Sequence, residues 1–207
     1  MILTAADTGF IHVFEPGSDP AAKPLLLLHG TGGDERDLLP LGRTVAPGAG
    51  LLSPRGKVLE GAAPRFFRRL AEGVFDEDDL IRRTHELADF IGEARGRYGL
   101  PAPIAIGFSN GANIAASLLL LRPEALAGAA LLRAMPPLRD AAPVDLAGKP
   151  VLLLSGLFDP IVPAADAEGL AACLAENGAA VDRRNLPAGH GLTQADIGVL
   201  KDWLARN

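Results

Sequence analysis

The segment Gly107-Phe108-Ser109-Asn110-Gly111 follows the pattern G-x-S-x-G, which sets a serine on a sharp turn between a strand and a helix. A hydroxyl held there can attack a carbonyl carbon if a base takes its proton. Glycines at 107 and 111 make room for the turn because neither carries a Cβ. The helix that follows aims its free N–H groups at any negative charge that develops. In this arrangement an acid and then a histidine follow the serine along the chain. Of the four histidines, only His190 comes after Ser109, in the glycine-flanked loop Gly189-His190-Gly191-Leu192. The acid should stand just past a strand between the two. Asp159 does so, at the end of Leu152-Leu153-Leu154-Ser155-Gly156-Leu157-Phe158-Asp159. Its carboxylate would accept the imidazole Nδ1–H and stabilise the imidazolium. Asp166 is the second candidate, better suited to the start of the next helix. Asp140 and Asp145 flank a proline-containing loop, and Asp182 falls within a later strand.

Charge building on a carbonyl oxygen needs two amide donors. One should be the N–H of Asn110, directly after the serine. The other should come from the turn after an early strand. His29-Gly30-Thr31-Gly32-Gly33 is such a turn, with Thr31 N–H as the donor and His29 as a residue that holds the loop. The same glycines fit neither dinucleotide nor P-loop phosphate patterns. His85-Glu86-Leu87-Ala88-Asp89 approaches the zinc pattern H-E-x-x-H but ends in Asp. It is read as part of an amphipathic helix, so no metal and no cofactor are expected. Cys173 stands on a helix far from the turn and reads as a small packing residue.

The elements that must position these groups alternate along the chain. Short apolar runs at Phe10–Phe14, Leu25–Leu28, Leu51–Ser53, Ile104–Ile106, Ala129–Leu132 and Val151–Leu154 suit strands buried on both faces of a parallel sheet, and Val181–Leu186, ending at Pro187, reads as a further strand run. Helical stretches lie between them at Glu77–Tyr98, Gly111–Leu121, Ala164–Asn177 and Thr193–Arg206. On Glu77–Tyr98, the residues Leu80, Ile81, His85, Leu87, Ala88 and Ile91 are placed near one face. The expected fold is therefore α/β and layered, one domain over 1–207. Residues 54–76 read as a long loop over the site, with Phe66, Phe67 and Phe75 among five basic residues.

Composition narrows the class. The 207 residues are 48% hydrophobic and 22% charged, with a formal net charge of -5. That argues against a nucleic-acid binder, which needs a basic footprint. One cysteine excludes an internal disulfide framework. The apolar runs are too short for a membrane helix. Met1–Asp7 shows neither a basic nor an apolar leader region, so a cytoplasmic protein is expected.

On these segments, together with Gly156-Leu157-Phe158-Asp159-Pro160-Ile161-Val162-Pro163, the sequence resembles an α/β-hydrolase of the phospholipase/carboxylesterase family. Residues 64–76 resemble its bacterial hydroquinone-resistance-type esterase subgroup. The resemblance implies a three-layer fold, with a mostly parallel sheet and helices on both faces. It implies Ser109, Asp159 and His190 as a catalytic triad and Thr31 and Asn110 as oxyanion donors. It also implies hydrolysis of small carboxylic esters, sometimes thioesters, and frequent homodimers. A serine at 109 disfavours dienelactone substrates, whose hydrolases use cysteine. No cap domain fits before the strand at Val151, so an open cleft for short to medium acyl chains is expected. Phe66, Phe67, Phe75, Met135, Leu157 and Leu192 are its candidate lining. Arg65, Arg68 and Arg69 could attract an acidic substrate. The alternatives are an acyl thioesterase, a lysophospholipase-type hydrolase, or a non-catalytic ligand-binding protein of the same fold.

Overall fold

The computed structural model describes residues 9–207, so the reading of Met1–Asp7 lies outside it. In chain order the elements are β1 (His12–Glu15), β2 (Leu25–Leu28), α1 (Leu39–Val45), β3 (Leu51–Pro54), β4 (Val58–Glu60), β5 (Ala63–Arg65), β6 (Arg69–Ala71) and β7 (Val74–Phe75). Then follow α2 (Glu77–Tyr98), β8 (Ile104–Phe108), α3 (Asn110–Leu121), β9 (Gly128–Leu132), β10 (Pro150–Gly156), α4 (Ala164–Glu176), β11 (Ala180–Leu186) and α5 (Gln194–Leu204). Seven strands form one sheet in the order β1-β3-β2-β8-β9-β10-β11. All its pairings are parallel except β1 with β3.

Strand side chains alternate between faces, and each apolar run splits accordingly. Leu26, Leu28, Ala105, Leu131 and Leu153 join the core beneath α2, α3 and α4. Leu25, Leu27, Ile104, Ile106, Leu132 and Leu154 join the core beneath α1 and α5. Helices on both faces make both sides apolar, which is why these strands carry no polar face. Between β9 and β10 no helix or strand intervenes, so nothing caps the sheet there.

Helix α2 begins at Asp76, whose side chain accepts from Asp79 N–H, and ends at Gly99 in the left-handed conformation. Its buried residues include Leu80, Thr84, Leu87 and Ile91. Ile81 and His85 do not share that face. Each follows a buried residue by one position, a turn of about 100°, and both are exposed. Residues 54–76 also depart from the expected loop. They fold into two ribbons, β4 with β5 and β6 with β7, both antiparallel. Among the described residues, no helix is long and apolar enough to cross a membrane.

Candidate active site

Ser109 stands between the end of β8 and the start of α3 with φ 53° and ψ -114°. Positive φ is unfavourable for a residue with a Cβ and costs about 1–3 kcal/mol. The surroundings enforce it. Ser109 N–H donates to Leu132 O at 2.8 Å, and Asn113 N–H donates to Ser109 O at 3.0 Å. A Cβ at Gly107 would lie 2.4 Å from Gly111 O, and one at Gly111 would lie 2.0 Å from Leu28 O. Only glycines let α3 come this close to β8 and β2.

Three strand ends bring the polar groups together. His190 Nε2 lies 2.9 Å from Ser109 Oγ. His190 Nδ1 lies 2.9 Å from Asp159 Oδ2. A carboxylate only accepts, so Nδ1 carries the proton and Nε2 is left to accept from the serine hydroxyl. The Asp159 side chain is 1% exposed and that of His190 20%. Burial pushes the Asp159 carboxyl up, but the amides of Ile161 and Val162 and the His190 ring outweigh it. The carboxyl is held below its ordinary range. Asp159 Oδ1 takes both amides, at 2.8 and 3.1 Å, which leaves Oδ2 for the histidine. Asp166 sits in the first turn of α4.

Thr31 follows β2 in a loop that other segments hold. The buried His29 ring faces Gly30 O through Nδ1 at 2.7 Å and accepts Gly56 N–H through Nε2 at 3.0 Å. Burial lowers its pKa, so the ring stays neutral. Gly32 N–H donates to Pro64 O at 2.9 Å, and Arg65 Nη1 donates to Thr31 Oγ1 at 2.9 Å. Arg55 clamps Glu35 through two hydrogen bonds at 2.5 and 2.9 Å. Asn110 opens α3, where a first-turn amide has no intrahelical acceptor. Its side-chain Oδ1 accepts from Phe66 N–H at 2.7 Å.

A small cleft beside Ser109 is lined by Thr31, Asn110, Phe75, Met135, Ile161 and Val162, and Arg65, Arg69 and Arg133 also border it. Phe75 and Met135 thus fall where the sequence reading put them. Phe66 and Phe67 do not. They are 2% and 0% exposed, the first packed on the His29 ring and the second edge-on to Phe75. Both belong to the core beneath α2 and α3, with Phe66 N–H bonded to Asn110, and so do not stand over the cleft. Leu157 is 59% exposed and Leu192 packs on the α5 side of the sheet, so neither lines this cleft. Arg68 pairs with Asp76, and Arg65 and Arg69 both pair with Glu60. A larger cavity of about 420 Å³ opens where β2 and β8 begin, beside Leu25 and Ile104, away from these groups.

Sequence reasoning missed Arg133, Glu35 and Arg55. The signal for Arg133 was an arginine placed directly after a wholly apolar strand, within Leu131-Leu132-Arg133-Ala134-Met135. Such a residue must find partners inside the protein.

No family model matches the chain. It is 47% identical over 199 residues to the hydrolase-type protein MhqD of Bacillus subtilis (strain 168), covering 93% of this chain and 96% of that one. Among solved structures it is similar to the Bacillus cereus carboxylesterase, with 47% identity and a TM-score of 0.95 over 97% of this chain and 96% of that one. The carboxylesterase of Mesorhizobium loti matches with 35% identity and a TM-score of 0.94 over 100% and 99%. YahD, solved with malic acid, matches with 31% identity and a TM-score of 0.90 over 95% and 98%. With this fold and these relatives over nearly its full length, the chain belongs to the phospholipase/carboxylesterase-type α/β hydrolases.

Proposed function

We propose that the protein is a serine carboxylesterase that cleaves small esters of short to medium acyl chain through an acyl-enzyme. The observation that carries this reading is the line of hydrogen bonds from Asp159 through His190 to Ser109, each 2.9 Å long, at a strained strand-to-helix turn. His190 takes the Ser109 proton as the hydroxyl attacks the ester carbonyl. The amides of Thr31 and Asn110 receive the oxyanion, and loss of one such donor costs about 2.7–4 kcal/mol of barrier. The alcohol leaves with the proton from His190. Water then repeats the sequence on the acyl-enzyme. Phe75, Met135, Ile161 and Val162 offer the acyl chain an apolar wall. The uncapped sheet leaves the alcohol side open.

One observation favours a second reading, in which the acid portion of the ester is small and polar. YahD was solved with malic acid, and Arg65 and Arg69 line the cleft here. Both arginines already share Glu60, which reduces the charge left for an anion.

The test is turnover of p-nitrophenyl esters across chain lengths, together with acyl thiols and a malate monoester, by wild type and Ser109→Ala. The proposal expects the variant to lose turnover by orders of magnitude and simple esters to outrun thiols and the malate ester. Equal rates for wild type and variant would end it.

A further inference from the structure

Resting on the reading of His190 as the general base, we propose that Arg133 is a positioning residue that fixes the His190 loop, with Asp196 as its anchor. Arg133 directly follows β9 and has φ 60°, a conformation unfavourable for any residue but glycine. Its side chain is 0% exposed. All five guanidinium N–H groups have acceptors. Nε donates to Gly189 O at 2.9 Å and Nη2 donates to Gly191 O at 3.2 Å. These are the carbonyls on either side of His190. Nη1 donates to Leu154 O at 3.3 Å, and the two remaining donors engage Asp196 Oδ1 and Oδ2 at 2.7 and 2.9 Å. The backbone N–H of Arg133 also binds Leu154 O at 2.9 Å.

Asp196 is held in turn. Its Oδ2 accepts from Thr193 N–H and Thr193 Oγ1, both at 2.8 Å, in the capping box that starts α5. One rigid, planar fork therefore ties the loop on both sides of the histidine to the ends of β9 and β10 and to the first turn of α5. A glycine-flanked loop has little stiffness of its own. A buried charge pair is a poor source of net stability compared with apolar side chains of similar volume. The fork geometry accounts for an arginine here, since lysine offers three donors and no plane.

The test compares wild type, Arg133→Lys and the double variant Arg133→Met with Asp196→Leu, which removes both buried charges together and so avoids stranding either. Thermal melting reports folding, and kcat and KM for p-nitrophenyl acetate report the site. The expected result is folded protein with kcat lower by about tenfold to a hundredfold, the scale of a displaced catalytic group, and KM within about twofold. A folded double variant with wild-type kcat, or a loss confined to KM, would overturn the proposal. So would failure of both variants to fold, which would make the pair a folding element instead. Turnover by Ser109→Ala tests the underlying reading separately. Activity surviving there would remove the serine mechanism, whatever the Arg133 variants do.

Discussion

Gly111→Ala probes the turn with a single methyl group. The added Cβ would lie 2.0 Å from Leu28 O, 2.4 Å from Leu28 C and 2.6 Å from His29 O. Carbon atoms in comfortable contact stand about 3.5–4.0 Å apart. All three obstacles are backbone, so no side chain can swing away. The start of α3 must part from the end of β2 by more than about 1 Å to restore that contact. Overpacking of this kind costs about 1–3 kcal/mol, occasionally more. At about 2–4 °C per kcal/mol for a chain of this size, the melting temperature should fall by about 2–12 °C. The same shift carries Ser109 and the Asn110 amide away from His190 and Thr31, and a displacement near 1 Å costs about 100-fold in rate. Melting and kcat on p-nitrophenyl acetate, measured on one preparation, check both figures. Gly92→Ala is the control. Gly92 lies within α2, and a Cβ there meets nothing within 4 Å, so stability should rise by up to about 1 kcal/mol with kcat unchanged. A Gly111→Ala enzyme with wild-type melting and kcat would refute the reasoning.

Asp159→Asn should lower kcat by about four orders of magnitude. Its amide oxygen can keep the bonds to Ile161 and Val162, while its NH2 faces Nδ1 and forces the wrong tautomer on His190; an enzyme near wild-type kcat would shift the role to another carboxylate. Stability should fall as the pH drops below about 6.5, the ordinary histidine value. Burial holds His29 neutral in the fold, so the unfolded chain binds the extra proton, and stability present above that pH is lost as the pH falls toward the lowered native value. Melting temperature against pH, compared between wild type and His29→Asn, should show a steeper acid decline in wild type; parallel curves would contradict this.

The sequence was most legible where local chemistry and burial agree. The Asp76 cap and Gly99 bound α2 at Glu77 and Tyr98 as the pattern indicated. The inner parallel strands β2, β8, β9 and β10 were visible because helices cover both faces and leave each run apolar, whereas the edge strand β11 carries Asp182, Arg183, Arg184 and Asn185 and buries none of its residues. Ser109 and Asp159 were readable as candidates because each follows an apolar run, and His190 because it alone of the four histidines comes after the serine in the required chain order. The ribbons at 58–75 were not legible. Their strands are two or three residues long and carry exposed Leu59, Leu70 and Val74, so no period emerges. Phe66 and Phe67 misled for a related reason. Both are buried against residues distant in the chain, Phe66 on the His29 ring with its N–H on Asn110, 44 positions away, and no local pattern reports that. Helix α1 is seven residues long and contains Pro40 and Gly42, which read as breakers.

The chain distances within the site bear on how activity returns after unfolding. Ser109 and His190 are 81 positions apart, and His190 and Asp159 are 31 apart. The intervening chain must complete the β9, β10 and β11 pairings before the three groups can meet. Such non-local parallel pairing closes large loops and is slow. Helix α2, by contrast, needs only its own caps and one face. In a refolding experiment the helical circular dichroism signal should therefore lead, and ester turnover should report the docking of β11, the edge strand that delivers His190.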